Sequence, residues 1–246
     1  MRIAVAGGTG TVGRPTVEAV RAAGHEAVVL SRSEGVDLVT GEGLEESLAG
    51  VDAVIDTTSI STLKADAAVS FFTTATGNLI SAGAKAGVIH LVLLSIVGID
   101  RNPHDYYAGK VAQERVVEAS PVPWTILRTT QFHEFAEQMQ ARASIGPLRF
   151  APNARVQPVA AAEVAARLAA LAAGPAAGRV RDLAGPREES LADMVRQVAR
   201  ADGRRGWIPA LNVPTRQMAG MRAGTALPGP DADHGVQTFR EWLASR

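Results

Sequence analysis

Two rhythms of apolar and polar positions alternate along this chain. Short β-branched runs recur, each followed by a longer stretch with apolar residues every three or four positions, the pattern of βαβ units around a parallel sheet. Arg2–Ala6 reads as a first strand and Val12–Ala23 as a helix ended by Gly24. Glu26–Leu30 is a second strand, Val36–Val39 a short third, and Leu44–Ala49 a short helix closed by Gly50. A strand at Asp52–Ile55 precedes a long helix over Val69–Ala86 that stops at Gly87. Ile89–Leu94 is apolar almost throughout, as a strand covered on both faces should be. Tyr106–Ala119 and Gln131–Ser144 read as helices on either side of a strand at Trp124–Leu127.

The pattern shortens after Gly146–Pro147. Val156–Val159, Ala162–Ala172, Val180–Leu183 and Leu191–Ala201 give a mixture of strands and helices. In the last of these, Leu191, Met194, Val195 and Val198 form a core-facing stripe, and Ser190 with Asp193 is a variant capping box. Trp207 to Gly235 is rich in Pro and Gly, and Phe239–Leu243 reads as a closing helix. The expected fold is α/β. A Rossmann-type doubly wound parallel sheet occupies 1–150 and a small substrate-binding lobe 151–246, with a soft boundary and interleaved segments.

Composition narrows the function. The 246 residues carry 25 basic and 25 acidic side chains, so no charge footprint for nucleic acid or an anionic membrane is present. The absence of cysteine excludes disulfides, thiolate metal sites and a cysteine nucleophile. The opening MRIAVAGGTG reaches glycine too early for a signal peptide, and the longest apolar run, Val88–Ile99, is broken by His90 and Ser95. A cytoplasmic protein with a small-molecule substrate is expected, as a monomer or homodimer. His133-Glu134-Phe135-Ala136-Glu137 lacks the second histidine of a zinc-protease helix, so no metal is expected. Arg128, at a strand end, fits either a structural ion pair or a substrate clamp.

Chemistry first enters at the glycine loop. Gly7-Gly8-Thr9-Gly10-Thr11-Val12-Gly13 stands between the first strand and the first helix and reads as G-x-x-G-x-x-G on Gly7, Gly10 and Gly13. A chain binding a diphosphate there needs a sharp turn, a backbone without Cβ atoms in the way, and helical N–H groups aimed at the anion. Gly7, Thr9, Gly10, Thr11, Val12 and Gly13 are therefore candidate dinucleotide contacts. The second strand ends in Ser31-Arg32-Ser33, where a carboxylate would accept an NAD ribose hydroxyl. Three donors in its place suit a 2′-phosphate, so NADP(H) is preferred and NAD(H) is the alternative.

A second constellation is Tyr106-Tyr107-Ala108-Gly109-Lys110, which holds both tyrosines and one of only three lysines. Tyr106 and Lys110, four apart, share a helix face. Ala108, Val111, Ala112, Val116 and Ala119 read as the core stripe, which leaves the Tyr106/Lys110 line free to face ligand or water. A cation beside a phenol lowers its pKa and makes it a better proton donor.

With these motifs, Leu93-Leu94-Ser95-Ile96-Val97-Gly98, Trp124-Thr125-Ile126-Leu127-Arg128-Thr129-Thr130-Gln131-Phe132 and Leu183-Ala184-Gly185-Pro186, the chain resembles atypical short-chain dehydrogenase/reductases of the NmrA-like, NAD(P)H-binding group. The resemblance implies Tyr106 as general acid, Lys110 as ribose partner, and Ser95 beside the nicotinamide. It also implies that Gln131, Phe132 and His133 border nicotinamide or substrate, and that Thr57, Thr58 and Ser59 lie along the cofactor. Ile96 stands where relatives often have a second serine. The implied activity is NADPH-dependent reduction of a small apolar carbonyl, quinone or related unsaturated compound, with Pro158, Trp207, Ile208, Leu211 and Met218 shaping an apolar pocket. The alternative is an NADP(H)-binding redox sensor that does no chemistry.

Overall fold

The structure is a computed structural model that describes residues 1–145, 148–204 and 206–246; Gly146–Pro147, where the pattern changes, lies outside the described residues. The chain forms two compact units.

The first unit comprises 1–95, 105–128 and 162–181. Its strands are β1 (Arg2–Ala6), β2 (Glu26–Leu30), β3 (Ala53–Asp56), β4 (His90–Ile96) and β5 (Trp124–Thr129), in the order β5-β4-β3-β1-β2. Pairing is parallel, with Ile3 opposite both Ala27 and Ala53, and Val54 opposite Leu91. Helices α1 (Gly13–Ala22), α2 (Leu44–Ser47), α3 (Ala65–Ala86) and α4 (Tyr106–Glu118) follow β1, β2, β3 and β4. The helix Ala161–Ala173 and the short strand Gly178–Arg179, parallel to β5, complete the unit. Ile3, Ala4, Val5 and Ala6 are fully buried, and Leu30, Val54, Leu79, Leu91, Leu93 and Ile126 share one core. Burying each large side chain contributes about 1.5–3 kcal/mol, which fixes the register of the central strands.

Two sequence expectations fail in this unit. Val36–Val39 is a turn, because the Asp37 carboxylate accepts the Val39 amide at 2.7 Å and the Thr40 amide at 3.2 Å. This local bonding competes successfully with strand pairing. The second concerns α4, whose buried positions are Tyr107, Gly109, Lys110, Gln113, Glu114 and Val117; the alanine and valine stripe read as core is only partly covered. Gly109 explains the rotation. A Cβ there would lie 2.7 Å from Ala68 on α3, so this face packs backbone against backbone and carries its neighbouring polar groups inward.

The second unit comprises 96–104, 129–161 and 182–246. Its core joins Val156, Leu191, Met194, Val195, Val198, Met221 and Phe239, so the Leu191–Ala201 stripe is buried as its spacing predicts. The helix Phe135–Arg142 begins later than Gln131, since Phe132 bridges to Val159 and the His133 amide donates to the Val159 carbonyl. Short strands pair Leu183–Ala184 with Asp233–His234 and Arg155–Val156 with Glu189–Ser190. The closing helix Phe239–Ala244 has a full capping box between Thr238 and Glu241. Trp207, expected to help shape an apolar pocket, is 85% exposed, whereas Ile208 and Met218 pack on this core. Residues 129–150 thus belong to the second unit, and 162–181 to the first. No described helix is long and apolar enough to cross a membrane.

Candidate functional site

The glycine turn is built by contacts that leave no room for side chains. The Gly7 amide donates to the Leu30 carbonyl at 3.0 Å, tying the ends of β1 and β2, and the Gly10 amide returns to the Gly7 carbonyl at 2.9 Å. Gly7 takes φ +74°, and a Cβ would come within 3.1 Å of the Thr57 backbone. At Gly13 a Cβ would overlap the Gly7 carbonyl oxygen, so helix and strand meet only because that position is bare. Val12 is buried and serves as the anchor, whereas Thr9, Gly10 and Thr11 are exposed along the rim. Pro15 sits in the first turn of α1, where a missing N–H costs nothing. The residues present fit a diphosphate: an open turn, no obstructing Cβ, and the positive end of α1 behind it.

Arg14 adds a feature that the glycine spacing did not single out. Its Nε donates to the Thr9 carbonyl at 2.9 Å, which holds a guanidinium at the mouth of the turn. At the end of β2, Ser31 and Ser33 share a hydrogen bond of 2.9 Å and Arg32 is exposed between them. All three predicted 2′-phosphate contacts therefore stand at one corner.

The residues after β3 divide by task. Thr57 donates its hydroxyl to the Ala6 carbonyl at 2.8 Å, locking β1 to β3. Thr58 is buried and donates both its amide, at 2.9 Å, and its hydroxyl, at 2.6 Å, to the Asp56 carboxylate. Ser59 is exposed, and its Oγ lies 3.1 Å from the Tyr106 hydroxyl.

The Tyr106/Lys110 pair differs from its expected geometry. Lys110 is 3% exposed; its Nζ donates to the Leu94 carbonyl at 2.7 Å and to Gln113 Oε1, and lies 4.8 Å above the Phe72 ring. Gln113 in turn donates to Asp56 at 3.0 Å and to the Thr76 hydroxyl at 2.9 Å. The lysine is thus the cationic end of a buried network that terminates on a carboxylate. Burial pushes its pKa down to about 8, with the Asp56 and Glu114 charges opposing. Tyr106 stands edge-on to Phe72 at 5.5 Å. Its pKa is raised, not lowered, because burial outweighs the Ser59 hydrogen bond. Asp105, immediately before it, holds φ +54° and ψ −127°, a strained backbone for any residue but glycine.

Ser95 is 1% exposed and is turned inward toward Glu114; its Oγ makes no hydrogen bond of ordinary geometry. Glu114 grips Arg128 through two bonds of 2.8 and 2.6 Å and meets Arg179 at 2.8 Å. Burial alone would raise the Glu114 carboxyl, but the Arg128 hydrogen bonds and both guanidinium charges hold it below the usual range. Arg128 therefore forms the structural ion pair. Gln131 and Phe132 lie in the second unit, Gln131 buried and Phe132 half-buried.

Sequence reasoning missed Asp56, Thr76 and Gln113. The available signal was a carboxylate closing an apolar strand, followed by two hydroxyl residues that can bond it locally. Among the described residues, no group of three histidine or carboxylate side chains could hold a metal ion.

Residues 7–175 match the NAD(P)H-binding family. No curated protein sequence matches the chain. Solved structures share the fold at low identity. The NADPH-dependent quinone oxidoreductase of Escherichia coli, complexed with NADPH, superposes with a TM-score of 0.73 at 18% identity, covering 99% of each chain. A nucleoside-diphosphate-sugar epimerase of Staphylococcus aureus gives 0.72 at 16% identity and 99% of each chain. The UDP-glucose 4-epimerase of Thermus thermophilus, in complex with NAD, gives 0.66 at 19% identity over 100% of this chain and 93% of that one. With a glycine turn between β1 and α1, a parallel Rossmann sheet and this match over more than half its length, the chain belongs to the NAD(P)H-binding family.

Proposed function

We propose that the protein is an NADPH-dependent reductase of a small apolar carbonyl, quinone or related unsaturated compound. The observation that supports this reading is one unit holding a glycine turn with no obstructing Cβ, an exposed Arg32 at the end of β2, and a tyrosine hydroxyl on α4 at the carboxyl edge of the sheet. The Escherichia coli quinone oxidoreductase, similar over the whole chain, lends support to this substrate class. Gly7, Gly10 and Gly13 would let the backbone approach the diphosphate, and Arg14 would add charge beside it. Ser31, Arg32 and Ser33 would hold the 2′-phosphate, with Arg32 in bidentate contact. Reduced nicotinamide, when bound, supplies the hydride. Tyr106 would give a proton to the substrate oxygen, and its raised pKa keeps the phenol protonated at neutral pH. Lys110 would hold α4 in register from within. The second unit would bind the substrate.

The test is NADPH oxidation against a panel of quinones and aldehydes. Turnover with at least one member, lost in Tyr106→Phe with NADPH binding intact, supports the reductase. The inward-turned Lys110 favours a second reading, binding without turnover. Inertness across the panel, with unequal affinities for NADP+ and NADPH, would establish that sensor.

A further inference from the structure

We propose that Ser59 is the proton-relay partner of Tyr106, filling the place beside the phenol that the sequence assigns to Lys110. The proposal rests on the reductase reading.

Elimination supports it. Four hydroxyls and one amine were candidates to assist the phenol. Thr57 spends its hydroxyl on the Ala6 carbonyl and Thr58 on Asp56. Ser95 is buried and turned toward Glu114. Lys110 directs its ammonium at the Leu94 carbonyl and Gln113, with the Phe72 ring over another side. Of these five groups Ser59 alone is bonded to the Tyr106 hydroxyl, at 3.1 Å, and it is exposed while the ring leans on Phe72.

A serine hydroxyl donates one hydrogen bond and accepts two, so it can hand a proton to the phenolate while taking one from water. In the reductive step the Tyr106 O–H bond breaks and the substrate O–H bond forms, as the hydride from the reduced nucleotide reaches carbon. The phenolate then takes the Ser59 proton as Ser59 takes one from water in the same movement, and the water regains its proton from solvent, so the reaction consumes one solvent proton. No electrons move at Ser59, and NADPH is the only reductant. Burial raises the phenol pKa and the Ser59 hydrogen bond opposes that rise, the direction expected of a group that stabilises the phenolate.

The chain has only two tyrosines, so a Tyr107→Phe background leaves one phenol to follow by ultraviolet difference titration. Ser59→Ala in that background should move the titration upward by about one pH unit, and Ser59→Thr should restore it. The rate with the best panel substrate should fall about tenfold in Ser59→Ala and recover in Ser59→Thr, with NADPH affinity changed less than about threefold. A phenol that titrates identically with and without the Ser59 hydroxyl overturns the proposal. Loss of NADPH affinity in proportion to the rate also overturns it, since Ser59 would then be only a cofactor contact. If the wild-type protein reduces nothing, the reductase reading fails, while the titration still decides whether Ser59 and Tyr106 are coupled.

Discussion

Replacing Lys110 by Met should change how stability depends on pH in a calculable way. In the folded chain the ammonium is buried between the Leu94 carbonyl and Gln113, and its pKa falls from 10.5 to about 8. Below pH 8 both folded and unfolded chains carry the proton, so the cost of burying the charge is constant. Between pH 8 and 10.5 the unfolded chain still binds the proton that the folded chain has released, so rising pH favours folding. Each pH unit in that window is worth about 1.4 kcal/mol, or about 3 kcal/mol across it. Other groups cancel when Lys110→Met is subtracted from wild type. Urea unfolding at half-unit intervals from pH 7 to 10.5 should show the wild type gaining about 3 kcal/mol on the variant, roughly 1 M in midpoint. A flat difference curve, or one that declines, would refute the buried position of the amine.

Other substitutions test the remaining parts. Gly13→Ala should lower NADPH affinity at least about tenfold, because its methyl would meet the Gly7 carbonyl, whereas Gly77→Ala, with open space around it, should leave affinity unchanged; calorimetry reads both. Asp105→Gly should be more stable than Asp105→Ala by about 1 kcal/mol in thermal unfolding, since both lose the carboxylate but only glycine tolerates φ +54°. Glu114→Gln should cost about 3 kcal/mol by stranding Arg128, a midpoint about 6–12 °C lower by calorimetric scan.

The glycine turn and the helix Leu191–Ala201 were legible because backbone geometry and apolar spacing leave a direct mark on the sequence. The exposed position of Arg32 was legible for a related reason: it follows directly from the end of β2, which the strand pattern marks. Lys110 was misread because α4 inverts the usual rule. Its inward face is polar, and the determinant, Gly109 against Ala68, is a tertiary contact between residues about forty apart with no local signature. Val36–Val39 has strand-like residues, but one carboxylate, Asp37, diverts its amides into a turn. Trp207 was grouped with the apolar pocket residues on residue type alone, yet it is 85% exposed. The Ser59–Tyr106 bond spans 47 positions and follows from the fold rather than from any motif.

In the proposed function the turn at residues 7–13 and Arg32 together hold a 2′-phosphorylated dinucleotide. Titration calorimetry with NADPH and NADH, on wild type and Arg32→Ala, tests it directly. NADPH should bind at least about tenfold tighter than NADH in the wild type, with the advantage lost in Arg32→Ala. No heat with either nucleotide, or equal affinities in the wild type, would contradict it.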